Sequence, residues 1–470
     1  MKKVLIISTY RNAGGAAIAA GRLTAALNRN GMQATMMVSP KGVVKGKTIP
    51  FIAERLAIYA RNLFSTRHLY AIDIACCGED ILKTEAFRTA DVVHLHWINQ
   101  GMLSLGTIRR IIDSGKRVVW TMHDAWNSTG ICHLTMGCDH FTRECGDCQY
   151  LRLRGASDLS HRVWKKKKAL YADHRMTFVT CSRWLQGEAM RSSLLADQDV
   201  RAVPNPIDTA YYTPLDKAAC RDALHLPHDK KLVLFVAQSV GNPYKGMDYL
   251  AEAVNKIGDK DIELVMLGSK ETGIAERVRD TKVHAMGYIS DPDIIRKAYS
   301  AADAFVLPSL SENLPNTIME AMACQTPCVG FDVGGIPEMI DHKENGYVAQ
   351  YRDADDLAEA EDTADHADDW RDVLEDGGDA GTGIVHADVP EEHRHDAAED
   401  DRVEERNPER GRQHDGRELP RHQAVARHDE GAEEPGPARR LKRRHTAHDL
   451  QGNQRIRRPG HLRKQEEDIA

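Results

Sequence analysis

The sequence predicts an α/β protein with two Rossmann-like, doubly wound domains, followed by a non-globular C-terminal segment. Three observations predict this. Short apolar runs alternate with helix-prone stretches over about the first 200 residues, the same alternation restarts after a turn-rich segment, and the composition changes abruptly near residue 361. Strands that alternate with helices are typical of parallel sheets covered by helices on both faces. A chain of 470 residues is also too long for one ordinary core.

The first domain is predicted over residues 1–205. A helix-prone, alanine-rich stretch, Ala16–Asn28, lies between its first two β-rich runs, and Gly31 follows this stretch as a stop signal. The predicted strands are Val4–Ser8, Ala34–Val38, Val92–Leu95, Val118–Met122 and Phe178–Cys181.

Residues 206–230 are predicted as a linker and residues 231–360 as the second domain. The linker follows a turn-rich segment that begins at Pro204. Two such domains in tandem face a cleft, and ligands bind beyond the carboxyl ends of their strands. The predicted strands are Leu232–Ala237, Ile262–Leu267, Ala304–Leu307 and Cys328–Phe331, and the predicted helices are Met247–Ile257, Ile294–Ser300 and one that begins near Asn316.

The segment 361–470 differs in composition from the rest of the chain. It contains one aromatic residue, Trp370, no Cys and no Met, and it is dense in Arg, His, Asp and Glu. Such a segment cannot bury enough apolar surface to offset its ordering entropy, which predicts a disordered tail. The other interpretation is a shift of reading frame near Ala360, because residues 361–364 read one nucleotide later permit apolar residues that continue a helix.

Charge and hydropathy exclude several classes of protein. A net charge of −7 and a pI near 6.3 argue against nucleic acid as the main ligand. The apolar run Val4–Ile7 is too short for a signal peptide, and there is no apolar run of about 18 residues that could span a bilayer. We therefore expect a cytoplasmic protein, in which the ten cysteines are reduced thiols or metal ligands.

Two glutamates stand out in the segment Pro308–Gly346. Glu312 follows an apolar run, and Glu320 lies eight residues later on the helix that Pro315 and Asn316 introduce. A helix that begins beside the end of a strand offers free N–H groups and a positive dipole end to an anion such as a diphosphate. Glu320 would then accept hydrogen bonds from sugar hydroxyls. The alternative is that both glutamates are solvated surface residues.

This segment resembles the donor-binding signature of family 4 of the retaining glycosyltransferases, in which seven residues separate two glutamates. The resemblance covers about residues 1–360 and implies the two-domain GT-B fold. It implies that Glu320 holds ribose hydroxyls and that Glu312 contacts the donor sugar near its anomeric carbon. Asn313 and Gln325 stand where the family has glycines. The other matching residues are Pro308, Ser309, Ala321, Met322, Ala323, Gly334, Gly335, Pro337 and Glu338.

The resemblance also implies that Lys245 lies on the donor diphosphate, where its charge would oppose that of the leaving group. An arginine that the family often carries upstream is matched here by Gln238 or Ser239. The alternative for Lys245 is a solvated loop lysine. The predicted donor-binding residues are Gly14, Gly15, Ser239, Asn313, Leu314, Asn316, Thr317 and Glu320, and the predicted catalytic residues are His123, Lys245 and Glu312.

Histidines end two of the predicted strands. His94 and His96 belong to one, and His123, followed by Asp124, belongs to the next. The resemblance implies a histidine near the second position, close to the acceptor and the transferred sugar, and so we select His123. The alternative is a hydrogen-bonded structural histidine.

Four cysteines, Cys132, Cys138, Cys145 and Cys148, fall in a predicted insertion over residues 130–150. The last two have the two-residue spacing of a zinc knuckle, and the first two would complete a tetrahedral thiolate site. This predicts a structural zinc, with free thiols or a disulfide as the alternatives. The resemblance implies that catalysis itself requires no metal.

A basic cluster, Lys165–Lys168, follows Arg152, Arg154 and Arg162. Such a cluster on the acceptor side would meet anionic lipid headgroups at the inner face of the cell membrane. A solvated helix face is the alternative.

The resemblance implies a hexosyltransferase of bacterial polysaccharide biosynthesis, such as that of lipopolysaccharide or capsule. It would move a sugar from a nucleotide-diphosphate donor, with UDP favoured over GDP, to a hydroxyl of a glycan or lipid-linked acceptor, with anomeric retention. One alternative is an isomerase that resembles nucleotide-sugar 2-epimerases. Another is a catalytically impaired sugar-nucleotide-binding protein, because no sequence after residue 361 supplies the C-terminal helix that in this family crosses back onto the first domain.

Overall fold

The computed structural model describes residues 1–40, 47–172, 174–269 and 277–362, without the side chains of the last two. These residues belong to one compact unit, Met1–His395. The predictions made for the C-terminal segment therefore lie outside the described residues, apart from the backbone of residues 361 and 362.

The first sheet is parallel, with its described strands in the order β2-β1-β3-β4-β5-β6. The order reverses between β1 and β3, which creates a crevice at the carboxyl ends of these strands. The strands are β1 (Lys3–Ser8), β2 (Gln33–Val38), β3 (Val92–Leu95), β4 (Arg117–Met122), β5 (Thr177–Thr180) and β6 (Asp199–Ala202). The helices are α1 (Gly15–Arg29), α2 (Ile49–Arg61), α3 (Glu85–Thr89), α4 (Leu105–Asp113), α5 (Leu159–Ala172) and α6 (Arg183–Arg191).

The second sheet is also parallel and has the order β12-β11-β10-β7-β8-β9 among the described strands. Its order reverses between β7 and β10. The strands are β7 (Lys231–Ser239), β8 (Ile262–Ser269), β9 (Val283–Gly287), β10 (Ala304–Leu307), β11 (Cys328–Phe331) and β12 (Gly346–Ala349). The helices are α7 (Lys217–Leu224), α8 (Met247–Ile257), α9 (Pro292–Ala301), α10 (Asn316–Ala323) and α11 (Ala354–Asp362).

Short 3₁₀ turns complete the described elements at Ile81–Lys83, Ala125–Asn127, His140–Thr142, Pro243–Lys245 and Ile336–Glu338. The two doubly wound sheets confirm the predicted fold class. They lie on either side of the predicted linker, and the exact domain boundaries stay a prediction.

The strands that the sequence did not predict, β6, β9 and β12, all lie at sheet edges in the described part of the chain. A central strand such as β10 is buried along its whole length, and therefore reads as a continuous apolar run. An edge strand such as β6, with the sequence DVRA, is only partly buried. Its composition therefore carries a weaker signal.

The predicted linker is partly built into the second domain. Helix α7 lies within it, and the buried Arg221 of this helix donates to Asp303 Oδ2 (2.7 Å) and to the carbonyl of Ala301 (3.0 Å). A salt bridge that also satisfies a carbonyl at the end of α9 fixes this segment against the second sheet's helices.

Of the helices that the structure describes, none combines the length and the apolar composition needed to span a bilayer.

Candidate functional site

The predicted catalytic residues Lys245 and Glu312 follow β7 and β10, the two strands between which the second sheet reverses its order. The ammonium group of Lys245 donates to Glu312 Oε1, which also accepts from Ser309 Oγ at 3.0 Å. The structure thus brings a cation and a carboxylate together at the position where open α/β sheets bind ligands.

Glu320 lies on α10 and is buried, with an exposed fraction of 6%. Its Oε2 accepts from the hydroxyl of Tyr299 (3.1 Å), and its Oε1 accepts from Arg22 Nη2 (2.6 Å). Pro315 precedes the helix and provides no side-chain cap for its first N–H groups. The N–H group of Ile318 donates to the carbonyl of Pro315 (3.2 Å), and the predicted binding of an anion at this helix end stays a prediction.

Glycines fix the backbone of the loop that carries Glu312. A Cβ atom on Gly246 would lie 1.7 Å from the carbonyl oxygen of Pro308, and one on Gly334 would lie 1.8 Å from that of Glu312. Both glycines also have positive φ, 72° and 62°. A Cβ on Gly335 would lie 2.0 Å from the carbonyl oxygen of Asn313. No other residue type fits these positions without moving the loop.

Two predicted donor-binding residues bond to the first domain. Asn313 Oδ1 accepts from Ser182 Oγ (2.6 Å), and its amide nitrogen lies 3.4 Å from the carbonyl oxygen of His123. Asn316 donates to the carbonyl of Gly15 (3.0 Å) and accepts from Asn205 (3.1 Å). These asparagines therefore join the carboxyl edges of the two sheets.

The remaining predicted donor-binding residues lie around the same edges. Gly14 has φ 85° and precedes α1, and Ser239 ends β7. Leu314 packs on the apolar core of the second domain, and Thr317 is half-buried in the first turn of α10. None of the predicted roles is tested by these positions, and they stay predictions.

Three histidines line the carboxyl edge of the first sheet. His96 Nδ1 bonds to His123 Nε2 (2.9 Å), and His94 Nε2 bonds to Thr121 Oγ1 (2.8 Å). Burial lowers the pKa of both His94 and His123 to about 4, and it holds the pKa of His96 well below its usual range. The three imidazoles are therefore neutral at physiological pH, able to donate or accept hydrogen bonds without carrying charge.

A charged network that the sequence analysis missed lies beside them. His133 Nδ1 bonds to Asp124 Oδ2 (2.8 Å), and His133 Nε2 bonds to Asp73 Oδ2 (2.7 Å). Burial alone would lower the pKa of His133, but the Asp124 and Asp73 carboxylates raise it to about 10. Asp124 also accepts from the indole of Trp97 (2.8 Å). This ion triad, in which Asp73 is buried and His133 and Asp124 are half-buried, ties the ends of β3 and β4 together.

The four cysteines of the insertion line one small cavity of about 20 Å³, together with His140. All four are free thiols, and the N–H group of Gly130 donates to Cys145 Sγ (3.1 Å). In the described ranges, no group of three or more His, Cys, Asp or Glu side chains has the arrangement of a formed metal site. The predicted zinc stays a prediction.

The basic cluster differs from the predicted patch most clearly at Lys167, while Lys168 is half-buried and donates to the carbonyl of Ser193 (2.7 Å). Lys167 is fully buried, donates to the carbonyls of Trp126 (2.5 Å) and Thr129 (3.1 Å), and lies over the Trp126 ring. Its neighbours Lys165 and Lys166 are exposed. Lys167 therefore belongs to the core of the first domain and contributes nothing to a surface patch.

Solved structures share this architecture. HepE of Anabaena in complex with UDP-glucose matches with a TM-score of 0.53 at 14% identity, over 80% of this chain and 93% of that chain. This likeness shows the GT-B fold. Two family models match the chain: "Glycosyltransferase Family 4" over residues 13–211 and "Glycosyl transferases group 1" over residues 230–363. The chain therefore belongs to the family 4 glycosyltransferases.

Curated relatives agree with this assignment. An uncharacterized glycosyltransferase of Methanocaldococcus jannaschii is 26% identical over 346 residues, which are 66% of this chain and 84% of that protein. The D-inositol 3-phosphate glycosyltransferase of Segniliparus rotundus is 32% identical over 160 residues, 32% of this chain and 35% of that protein. The second match thus spans only about a third of its relative.

Proposed function

We propose that the chain transfers a sugar from a nucleotide-diphosphate donor to a hydroxyl of a glycan or lipid-linked acceptor, with retention at the anomeric carbon. The observation that carries this proposal is the convergence of Lys245 and Glu312 at the point where the second sheet reverses its order. A cation there stabilises the charge that develops on the leaving diphosphate, and no catalytic metal is needed.

The residues at the carboxyl edges of the two sheets have different roles in this proposal. Glu320 accepts hydrogen bonds from ribose hydroxyls at the first turns of α10, and Glu312 contacts the donor sugar. His123, neutral and close to Asn313, faces the acceptor and the transferred sugar. We assign no nucleophile, because retention in this proposal follows from the family alone.

We favour a UDP-sugar as the donor, so that the base of the nucleotide is uracil. HepE, which shares the fold, was crystallised with UDP-glucose. The family match favours transfer over the isomerase alternative. A curated relative, TuaC of Bacillus subtilis, is named a putative teichuronic acid biosynthesis glycosyltransferase. This is in line with a role in polysaccharide biosynthesis at the inner face of the cell membrane, where the exposed Lys165 and Lys166 would meet anionic lipid.

A structural zinc is proposed for the cysteine-rich insertion. The cavity between Cys132, Cys138, Cys145 and Cys148 is large enough for one water-sized sphere, and so for one ion. Binding would draw the sulfurs inward to the bond length of a zinc thiolate, about 2.3 Å. This metal would hold the insertion together and would take no part in transfer.

The test of the proposed function is a screen of the purified chain against UDP- and GDP-sugars, by calorimetry and by donor hydrolysis. Glu320→Ala and Lys245→Ala should each weaken the binding of one sugar nucleotide. Lys256→Ala, which removes an exposed lysine paired with Glu252 and Asp355, should leave it unchanged. A folded chain that binds no sugar nucleotide would reject the proposal.

A further inference from the structure

One face of α1 lies along the second domain. Gly15, Arg22 and Arg29 are spaced seven residues apart, which is nearly two helical turns, so they share a face. Each contacts a residue beyond the first sheet: Asn316 donates to the carbonyl of Gly15 (3.0 Å), Arg22 pairs with Glu320 (2.6 Å), and Arg29 pairs with Asp208 (3.5 Å). Arg22 is thus a first-domain residue that bonds to Glu320, the residue of the second domain that is predicted to bind ribose.

Arg22 has one nitrogen that the described structure leaves unsatisfied. Its Nη2 donates to Glu320 Oε1, and its guanidinium carbon lies 5.0 Å from the centre of the Tyr212 ring. Its Nη1 is buried and makes no hydrogen bond of good geometry among the described residues, although the Tyr212 hydroxyl interacts with the guanidinium. A buried donor without an acceptor is destabilising, so such a group beside a predicted ribose-binding residue points to an oxygen that arrives with the ligand.

The chemistry of a ribose diol fits this pair of groups. A hydroxyl both donates and accepts, so it can donate to a carboxylate and accept from a guanidinium at the same time. Glu320 keeps a free lone pair on each oxygen, because each accepts one bond, from Arg22 or from Tyr299. A ribose hydroxyl that reaches both groups would therefore bond to Glu320 and Nη1 together, without breaking the ion pair.

We propose that Arg22 is a donor-binding residue that orients Glu320 through Nη2 and donates through Nη1 to a ribose hydroxyl of the nucleotide. The inference rests on the proposed function, because it places the nucleotide at Glu320. Its consequence is that the ribose site is complete only when α1 lies against α10. Nucleotide binding then favours the apposed arrangement of the two domains, since neither domain alone offers both groups.

The experiment measures the dissociation constants of UDP and 2′-deoxy-UDP for the full chain and its variants. Arg22→Ala should weaken UDP binding about 10- to 100-fold, as expected for lost hydrogen bonds to a charged group. It should also reduce the preference for UDP over the 2′-deoxy form. Arg22→Lys, which keeps the charge but loses the planar fork, should fall between wild type and Arg22→Ala.

The matched control is Arg29→Ala, which removes an ion pair from the same face of α1 without touching Glu320. It should leave UDP binding within about 3-fold, in line with the small value of a partly exposed pair. An equal loss in Arg29→Ala and Arg22→Ala would mean that both act only by holding the domains together, and would overturn the inference. Tighter UDP binding by Arg22→Ala would also overturn it, because Arg22 would then compete with the ribose.

Failure of the inference is distinguishable from failure of the proposed function. If Glu320→Ala abolishes UDP binding while Arg22→Ala leaves both affinity and ribose preference unchanged, only the role of Arg22 is wrong. If the wild type binds neither nucleotide, the UDP donor site and the role of Arg22 are both rejected. Thermal unfolding of each variant identifies loss of fold, and Arg22→Lys serves as the second variant if Arg22→Ala is unstable.

Discussion

The carboxyl edges of the two sheets differ in their electrostatics. The edge of the first sheet carries the buried His96 and the half-buried His94 and His123, and the pKa of the latter two is lowered to about 4. The edge of the second sheet carries Lys245 and Glu312 as an ion pair. The edge of the second sheet, the charged wall, therefore offers a cation to a diphosphate. The edge of the first sheet presents the neutral imidazoles of His94, His96 and His123, the neutral wall, with the ion triad of His133 beside them. This difference is in line with the proposal that the donor binds at the charged wall and the acceptor at the neutral wall.

The largest effect is expected from Glu312→Gln on the charged wall. Glutamine keeps the shape of the side chain but removes the charge beside the donor sugar and Lys245. Turnover should fall about 10²-fold or more. UDP binding should stay equal or become tighter, because Lys245 loses its internal partner. Initial rates and calorimetry measure the two effects, with Glu344→Gln, an exposed loop residue, as the control. Equal losses in binding and turnover would contradict the assigned role.

The second effect concerns the insertion that supports the neutral wall. The purified chain should contain about one zinc, and Cys145→Ser should lose it. Loss of this cross-link should lower the free energy of unfolding by about 3 kcal/mol, the size of a lost disulfide. Elemental analysis and denaturant unfolding measure both quantities. Cys76→Ser, which changes an exposed thiol outside the cavity, should retain the metal. A metal-free wild type of unchanged stability after chelation would exclude the zinc.

The neutral wall should make the fold sensitive to acid, because its histidines are uncharged in the fold. The pKa of His94 is about 4 in the fold, below its ordinary value of 6.5, so the unfolded chain binds a proton more readily between these two pH values. Stability from His94 is therefore present above pH 6.5 and lost as pH falls towards 4. We expect this residue to remove about 2 kcal/mol between pH 7 and pH 5.

His94→Gln should lack that part of the pH dependence, since glutamine bonds to Thr121 without titrating. Urea unfolding of both proteins at the two pH values measures it. Identical pH profiles for wild type and variant would show that folding does not lower the pKa of His94.

The smallest effect is expected at Gln325, the second residue after α10 in the second domain. This residue has φ 57°, a left-handed conformation that costs a non-glycine residue about 1–2 kcal/mol. The resemblance described above places a glycine at this position, and glycine is the usual residue at the C-terminal cap of a helix. Gln325→Gly should raise the free energy of unfolding by about 1 kcal/mol, after the entropy of glycine is deducted. Destabilisation would show that the Gln325 side chain makes a contact of greater value.

The sequence predicted the central strands well, for a physical reason. Strands such as β10 are buried on both faces, so their residues are uniformly apolar, and the residues after them fall at the ligand edge. Helices α8 and α10 were also placed close to their observed bounds, Met247–Ile257 and Asn316–Ala323. Three edge strands, β6, β9 and β12, were missed, and the first two are only partly buried, so their composition is less uniformly apolar.

The neutral wall and the cross-domain contacts could not be predicted in the same way. His133 pairs with Asp73, sixty residues earlier in the chain, and no local pattern marks such a pair. Lys167 looked like part of a basic surface, but its partner Trp126 lies on another segment. Arg22 carried one usable signal, the seven-residue spacing of Gly15, Arg22 and Arg29.

The glycines that contact the loop carrying Glu312 have a consequence for how the sugar specificity of such an enzyme could change. The carbonyls of residues 308, 312 and 313 lie directly against Gly246, Gly334 and Gly335, respectively. The backbone of the loop is therefore tightly constrained. New specificities are then reachable by exchanging side chains along the loop, at Ser311, Asn313 and Leu314, rather than by reshaping its path. A library that randomises those three positions and leaves the glycines alone should retain folded members and sample different donor sugars.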